Sequence, residues 1–306
     1  MKILLIFFSL ITGLAFSQEK TFSETDLTIS KWIDGSLIVP NSGSDHLAII
    51  IAGSGPTDRN GNQNFLKTNN LKKLAQDLAQ NGIASFRYDK RIVKQIKMSA
   101  VDQNTKFDDF VSDAIDVVHY FKTKQEFKNI YIIGHSQGSL IGMLAAQQNV
   151  DGFISLAGAG QPIDDVIIEQ VQKTAPMFTE DTKRVFDILK KGQTTTDFPP
   201  ALASIFNMDI QEFMMSWMKH DPAAIIKTLS IPVLIINGTK DLQVETAEAE
   251  LLHEANQKSQ LKLIEKMNHV LFIIEGDTQE NAKSYNDLNG KISEDLIKTI
   301  VGFIKK

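Results

Sequence analysis

The apolar run Ile130-Tyr131-Ile132-Ile133 feeds directly into Gly134-His135-Ser136-Gln137-Gly138, and helical spacing resumes over residues 139–147. A strand that must become a helix within five residues leaves few choices of fold. The turn holds Ser136 in a strained backbone conformation. The residues two before and two after it must lack side chains, or strand and helix collide. Gly134 and Gly138 supply that room, and Ser139 and Gly142 are small enough for the new helix to pack closely on a sheet. The serine oxygen is then exposed above the sheet, beside the first amides of the helix. This spacing and context describe a nucleophile elbow.

The rest of the chain supplies the sheet. Residues 47–51 form a continuous apolar run, as in a strand buried on both faces. Residues 83–88, 153–157, 233–236 and 261–264 read as further strands. Residues 27–29 and 36–39 read as short strands around a turn at Asp34-Gly35. Residues 71–79, 107–121, 244–255 and 292–304 carry helical spacing, the second with Phe107, Phe110, Val111, Ala114, Val117, Val118 and Phe121 on one stripe. Strands alternating with helices predict a parallel sheet covered on both faces. Residues 161–220 hold no strand-like run and read as a helical cap inserted into a core made of 18–160 and 221–306.

Of 306 residues, 42% are hydrophobic and 23% charged, an ordinary globular composition. A net charge of -5 gives no reason to expect nucleic acid or an anionic membrane as partner. The chain has no cysteine, which excludes disulfides, thiolate metal sites and a cysteine nucleophile together. Met1-Lys2, the apolar residues 3–16 and the small Ala15 and Ser17 read as a cleavable export signal over residues 1–17. Cleavage after Ser17 leaves Gln18 first, in a periplasmic or secreted protein. The run is short for a membrane span, and no second stretch is long enough for one.

Gly53-Ser54-Gly55-Pro56-Thr57-Asp58-Arg59-Asn60-Gly61-Asn62 resembles the G-S-G-P-T-D-R-[DN]-G-N segment of secreted or periplasmic bacterial esterase-like hydrolases. With the elbow, the chain resembles the α/β-hydrolase superfamily over nearly all of residues 18–306. The resemblance implies an eight-stranded, mostly parallel sheet flanked by helices, and a nucleophile, acid and histidine in that chain order. A serine hydroxyl needs an imidazole to take its proton. Of the six histidines, His269 stands on the loop after the last strand, where the resemblance places the base. Asn237-Gly238-Thr239-Lys240-Asp241 matches the superfamily's acid loop and names Asp241, with Glu245 as the fallback. The alternative for Asp241 is a cap on the helix that starts near Val244. The backbone amides of Ser54 and Gln137 are the expected oxyanion donors. The His135 side chain is expected to point away from the reaction.

Asp58-x-Asn60-x-Asn62 invites a calcium reading. Its glycine comes one place early, however, and Asn69 stands where a bidentate glutamate is needed. No metal and no cofactor are therefore expected, and Asp58 and Arg59 are expected to pair within a rigid loop. Tyr88-Asp89-Lys90-Arg91 resembles the superfamily segment Y-D-[KR]-R-G-x-G-x-S, but Ile92-Val93-Lys94-Gln95 replaces its glycine-rich part. Residues 90–106 are thus expected to form a loop of their own. Lys90, Lys94 and Lys97 read as its solvated charges, with an anionic substrate as the alternative.

The inserted segment is rich in methionine and aromatic residues, and Met214, Met215, Trp217 and Met218 are the candidate lining of an acyl pocket. Packing of the cap helices is the other use for them. The expected function is a serine hydrolase of carboxylesterase type, cleaving a small-molecule ester through an acyl-enzyme. A thioesterase or a serine peptidase with the same three residues are the enzymatic alternatives. A non-catalytic binding protein on the same fold is the alternative from another class. Nothing in the sequence bears on oligomeric state.

Overall fold

The computed structural model describes residues 21–64 and 66–306; the export signal read over residues 1–17 and the start at Gln18 lie outside the described residues. The apolar runs are strands of one sheet. In chain order the elements are β1 (Phe22–Ser30), β2 (Ile33–Pro40), β3 (His46–Ile51), α1 (Asn70–Gln80), β4 (Ala84–Tyr88), α2 (Arg91–Lys97), α3 (Phe107–Lys124), β5 (Asn129–His135), α4 (Gln137–Ala145) and β6 (Gly152–Leu156). Then come α5 (Ile163–Thr174), α6 (Thr179–Lys190), α7 (Ala203–Phe206), α8 (Met208–Trp217) and α9 (Pro222–Ile226) without a strand between them. The chain closes with β7 (Val233–Gly238), α10 (Thr246–Ala255), β8 (Gln260–Ile264), α11 (Thr278–Ser284) and α12 (Glu294–Ile304).

The eight strands lie in the order β1-β2-β4-β3-β5-β6-β7-β8. β2 is antiparallel to both of its neighbours, and every pairing from β4 to β8 is parallel. This is the mixed, mostly parallel sheet that the resemblance implies. Its two faces explain the unbroken apolar runs. Leu47, Ile49 and Ile51 join the core under α3 and α4, while Ala48, Ile50 and Ala52 join the core under α1 and α12. Alternate side chains of a strand point to opposite faces, so a strand covered on both sides needs an apolar residue at every position. A third cluster, with Val185, Phe186, Phe206 and Met214 at its centre, lies within the helices between β6 and β7.

Two expectations are corrected. Asp34 and Gly35 are not a turn but part of β2, and the reversal falls at Lys31-Trp32. A Cβ on Gly35 would stand 2.2 Å from Cζ of Phe86, so glycine here admits an aromatic ring from the neighbouring strand. Residues 91–97 are a helix, not a solvated loop. Val93 and Gln95 are buried, Lys94 pairs with Asp34 at 2.8 Å and Lys97 with Asp89 at 3.4 Å. Arg91 pairs with Asp113 of α3 at 2.7 Å, which fixes the helix to the core. Among the described residues no helix is long and apolar enough to cross a membrane.

Candidate active site

β5 delivers Ser136 at its carboxyl end. Ser136 has φ 55° and ψ -124°, and α4 begins at the next residue. A non-glycine residue at positive φ is strained, and the fold holds it there by close packing on both sides. A Cβ on Gly134 would lie 2.2 Å from the Gly138 carbonyl oxygen, and one on Gly138 would lie 2.3 Å from that of Ile51. Ser139 Oγ meets Ser155 Oγ at 2.7 Å below the elbow. Ser136 itself is partly exposed.

The loop after β7 brings Asp241, and the loop after β8 brings His269. His269 Nδ1 lies 2.7 Å from Asp241 Oδ2, and the two side chains are 5% and 0% exposed. Asp241 Oδ1 accepts from the amides of Gln243 at 2.8 Å and Val244 at 2.9 Å. The carboxylate therefore holds the histidine with one oxygen and the approach to α10 with the other. Glu245 is exposed and paired with Lys173 at 2.6 Å. Ser136 and His269 line one hollow. No hydrogen bond among the described residues joins Ser136 Oγ to the imidazole.

The Gly53 loop closes over the serine: a Cβ on Gly53 would lie 3.1 Å from Ser136 Cβ. Ser54 and Gln137 both border the Ser136 cleft. Neither residue's backbone N–H donates a hydrogen bond among the described residues, which leaves both free for a ligand oxygen. The Ser54 carbonyl is fixed by Thr57 Oγ1 at 2.7 Å and Gln63 Nε2 at 2.9 Å. Asp58 and Arg59 do not pair, contrary to expectation. Asp58 Oδ1 accepts the amides of Asn60 and Asn62, as a short carboxylate does in a tight turn, and Arg59 reaches Asp26 and Asp89, both at 3.0 Å. Burial works against the Asp89 charge, and the hydrogen bonds and charge of Arg59 outweigh it, holding Asp89 below the usual carboxylate range.

Three residues matter here that sequence reasoning did not place. His135 does not turn away from the site. Its Nε2 donates to the His269 carbonyl oxygen at 2.8 Å, and the two rings are 4.8 Å apart. Burial, and next the neighbouring His269, push its imidazole down to about 3, so it stays neutral. Asn268 is buried and donates from Nδ2 to Asn281 Oδ1 at 3.0 Å and Ser284 Oγ at 2.7 Å, anchoring the histidine loop on α11. Lys90 is buried, not solvated. Its Nζ donates to the Gly53 carbonyl at 3.0 Å and to Gln137 Oε1 at 2.6 Å, and lies 4.4 Å from the centre of the Phe110 ring. Burial alone pushes its ammonium down to about 7.

Two hollows flank Ser136. One, of about 180 Å³, is walled by Leu140, Ile163, Val166, Trp217 and Val244. The other, of about 70 Å³, holds His269 together with Thr57, Gln63, Thr68 and Asn70. A wider depression of about 850 Å³ over α11 holds neither Ser136 nor any histidine, so its size gives it no part in this chemistry. Of the four predicted lining residues only Trp217 reaches the cleft. Met214 is packed in the core of the inserted helices, and Met215 and Met218 face a separate hollow with Leu189 and Lys190. Successive helix residues turn by about 100°, so α8 cannot present all four to one cavity.

The family model described as serine aminopeptidase (S33) matches residues 67–198, less than half of the chain. The chain is 26% identical to the esterase EstD of Thermotoga maritima over 268 residues, which are 84% of this chain and 62% of that relative. It thus spans less than two thirds of that protein's length. Its structure is similar to that of Est1E from Butyrivibrio proteoclasticus, with a TM-score of 0.58 at 17% identity over 92% of this chain and 99% of that one. It is also similar to the Pyrococcus furiosus esterase Pf2001, with a TM-score of 0.56 at 14% identity over 93% and 90%. The sheet order, the sharp strand-to-helix turn at Ser136 and these structural likenesses give the chain an α/β-hydrolase fold, and over part of its length its sequence is similar to a serine aminopeptidase (S33) family model and to an esterase.

Proposed function

We propose that this chain hydrolyses carboxylic esters through an acyl-enzyme on Ser136. The observation that carries the reading is the 2.7 Å bond between His269 Nδ1 and a fully buried Asp241, at a cleft shared with Ser136. A carboxylate on Nδ1 keeps the proton there, so Nε2 is the basic nitrogen. Rotation of the Ser136 side chain brings Oγ to Nε2 when substrate binds, since such bonds tighten in the loaded complex. Oγ attacks the acyl carbon as His269 takes its proton. The resulting oxyanion is met by the free amides of Ser54 and Gln137. His269 then gives the proton to the departing alcohol oxygen. Water attacks the acyl-enzyme by the same route and frees the acid and the serine.

The two hollows divide the substrate. The leaving oxygen must lie within reach of His269, so the alcohol takes the smaller hollow, which holds His269 with Thr68 and Asn70. The acyl chain takes the larger hollow beside Trp217 and Val166, with α5 and α8 of the inserted segment covering it. An aminopeptidase needs an anion to meet the free amino group of its substrate, and neither hollow is bordered by Asp or Glu. That favours esters over peptides.

A fluorophosphonate probe should label Ser136 and nothing else. Ser136→Ala should abolish labelling and lower p-nitrophenyl ester turnover by several orders of magnitude. A parallel panel of peptide amides decides between the two reactions. Turnover that survives in Ser136→Ala, or a preference for amides, overturns the reading.

A further inference from the structure

The Lys90 ammonium is buried beside the Ser136 cleft, and each of its two acceptors belongs to a different side of that cleft. The first is the Gly53 carbonyl. That carbonyl and the Ser54 N–H are the two ends of one peptide group, lying on opposite edges of the same plane. A cation on the oxygen fixes the direction of the N–H and draws electron density away from it, as in any chain of polarised hydrogen bonds. The second acceptor is the side chain of Gln137, whose own N–H is the other free amide. One ammonium thus bonds the peptide group that carries one amide donor and the side chain of the residue that carries the other.

We propose that Lys90 is a positioning residue of the oxyanion site, setting the Ser54 amide through the Gly53 carbonyl and Gln137 through its side chain, and in its protonated form placing a positive charge behind them. The inference rests on the ester reading above. The charged groups of the neighbouring elements are engaged elsewhere: Asp89 with Arg59 and Lys97, and Asp113 with Arg91. No carboxylate bonds Lys90 Nζ among the described residues, and its remaining neighbour is the face of Phe110. A lysine kept only for packing needs no such isolation, because burying an uncompensated charge costs free energy that an apolar side chain of similar length avoids. The charge is compensated when an oxyanion forms in front of the two amides. That is stabilisation realised in the transition state, so it acts on kcat.

The test is steady-state hydrolysis of p-nitrophenyl acetate by wild type and Lys90→Met. Removing one oxyanion donor outright costs about 10²–10³ in kcat, and a residue acting through the donors should cost about 10–10² with KM within twofold. Rescue separates charge from packing. The natural chain has no cysteine, so Lys90→Cys, alkylated unfolded with 2-bromoethylamine and refolded, regains an ammonium at that position alone. Its kcat should return to within about threefold of wild type, while the unalkylated protein stays low. Should Lys90→Met not fold, Gln137→Met keeps the Gln137 amide and removes one acceptor of Lys90. It should lower kcat several-fold at constant KM.

A Lys90→Met enzyme with kcat within twofold of wild type overturns the role, as does a fall confined to KM or a folded aminoethyl variant with no rescue. For the second variant, an unchanged kcat in Gln137→Met does the same. These outcomes leave the ester reading intact. A wild-type chain that neither turns over the ester nor takes the fluorophosphonate at Ser136 overturns the ester reading itself, and the Lys90 role with it.

Discussion

His135 Nε2 donates to the carbonyl oxygen of His269 at 2.8 Å, so the residue before Ser136 supports the loop that carries His269. The ring that makes this bond is buried and held neutral, far below the ordinary histidine range. The unfolded chain takes up a proton at His135 near pH 6.5, whereas the folded chain resists until about pH 3. Stability from this group is complete above the unfolded value and is lost as pH falls through that window. Each pH unit inside it is worth up to about 1.4 kcal/mol. His135→Gln should therefore lose less stability than wild type between pH 6 and pH 4 in urea unfolding. Parallel losses in the two proteins would show that His135 is not the group responsible.

Asp241→Asn should lower kcat by roughly 10⁴, because an amide no longer selects the tautomer with its proton on Nδ1. Its stability should change little, since an asparagine oxygen still accepts from the Gln243 and Val244 amides. Glu245→Gln should stay within about twofold of wild type in kcat, as expected of an exposed surface pair. The reverse ranking would exchange their roles.

Gly138→Ala should be strongly damaging. The new methyl meets the Ile51 and Ala52 carbonyl oxygens at 2.3 and 2.7 Å, and backbone cannot step aside as a side-chain end can. A loss of more than about 3 kcal/mol, or insoluble protein, is expected. Gly302→Ala is the control. It lies inside α12 with open space around it, and should stabilise by about 0.5–1 kcal/mol. Thermal melts of both variants check the pair.

Trp217→Ala should change the ratio of kcat/KM between long and short acyl esters by about tenfold, since each methylene's fit is worth about 1 kcal/mol and the fit of one or two is at stake. Met215→Ala, facing a different hollow, should leave that ratio alone. If both variants shift it equally, the acyl group does not lie under Trp217.

The strands were legible because a sheet covered on both faces needs apolar residues without a break, as in residues 47–51. Ser136, Asp241 and His269 were nameable because each stands at a fixed place relative to a strand end, and strand ends are marked by glycine and polar residues. Their mutual distances were not legible, being set by the packing of elements far apart in sequence. Lys90 shows the limit. Beside Asp89 and Arg91 it reads as one of a group of surface charges, and only Phe110 and Gln137, brought in by α3 and α4, enclose it. Of the four candidates at and beyond the end of α8, Met214, Met215 and Met218 do not reach the cleft for a related reason: the pattern shows that a helix has apolar faces, but not which face meets Ser136. His135 was misread because its partner lies 134 residues away, on a loop whose path no local pattern specifies.

Ser136, Asp241 and His269 hang from β5, β7 and β8, and β6 lies between the first of these strands and the other two. The pair Asp241–His269 spans 28 residues, but it meets Ser136 only after the chain has passed through α4 to α10 and returned to the sheet. A polypeptide halted before β8 carries Ser136 without His269. During refolding, ester turnover should therefore count finished molecules alone, while far-UV ellipticity also counts every helix that forms early. The interval between the two signals measures how long the sheet waits for its last strands.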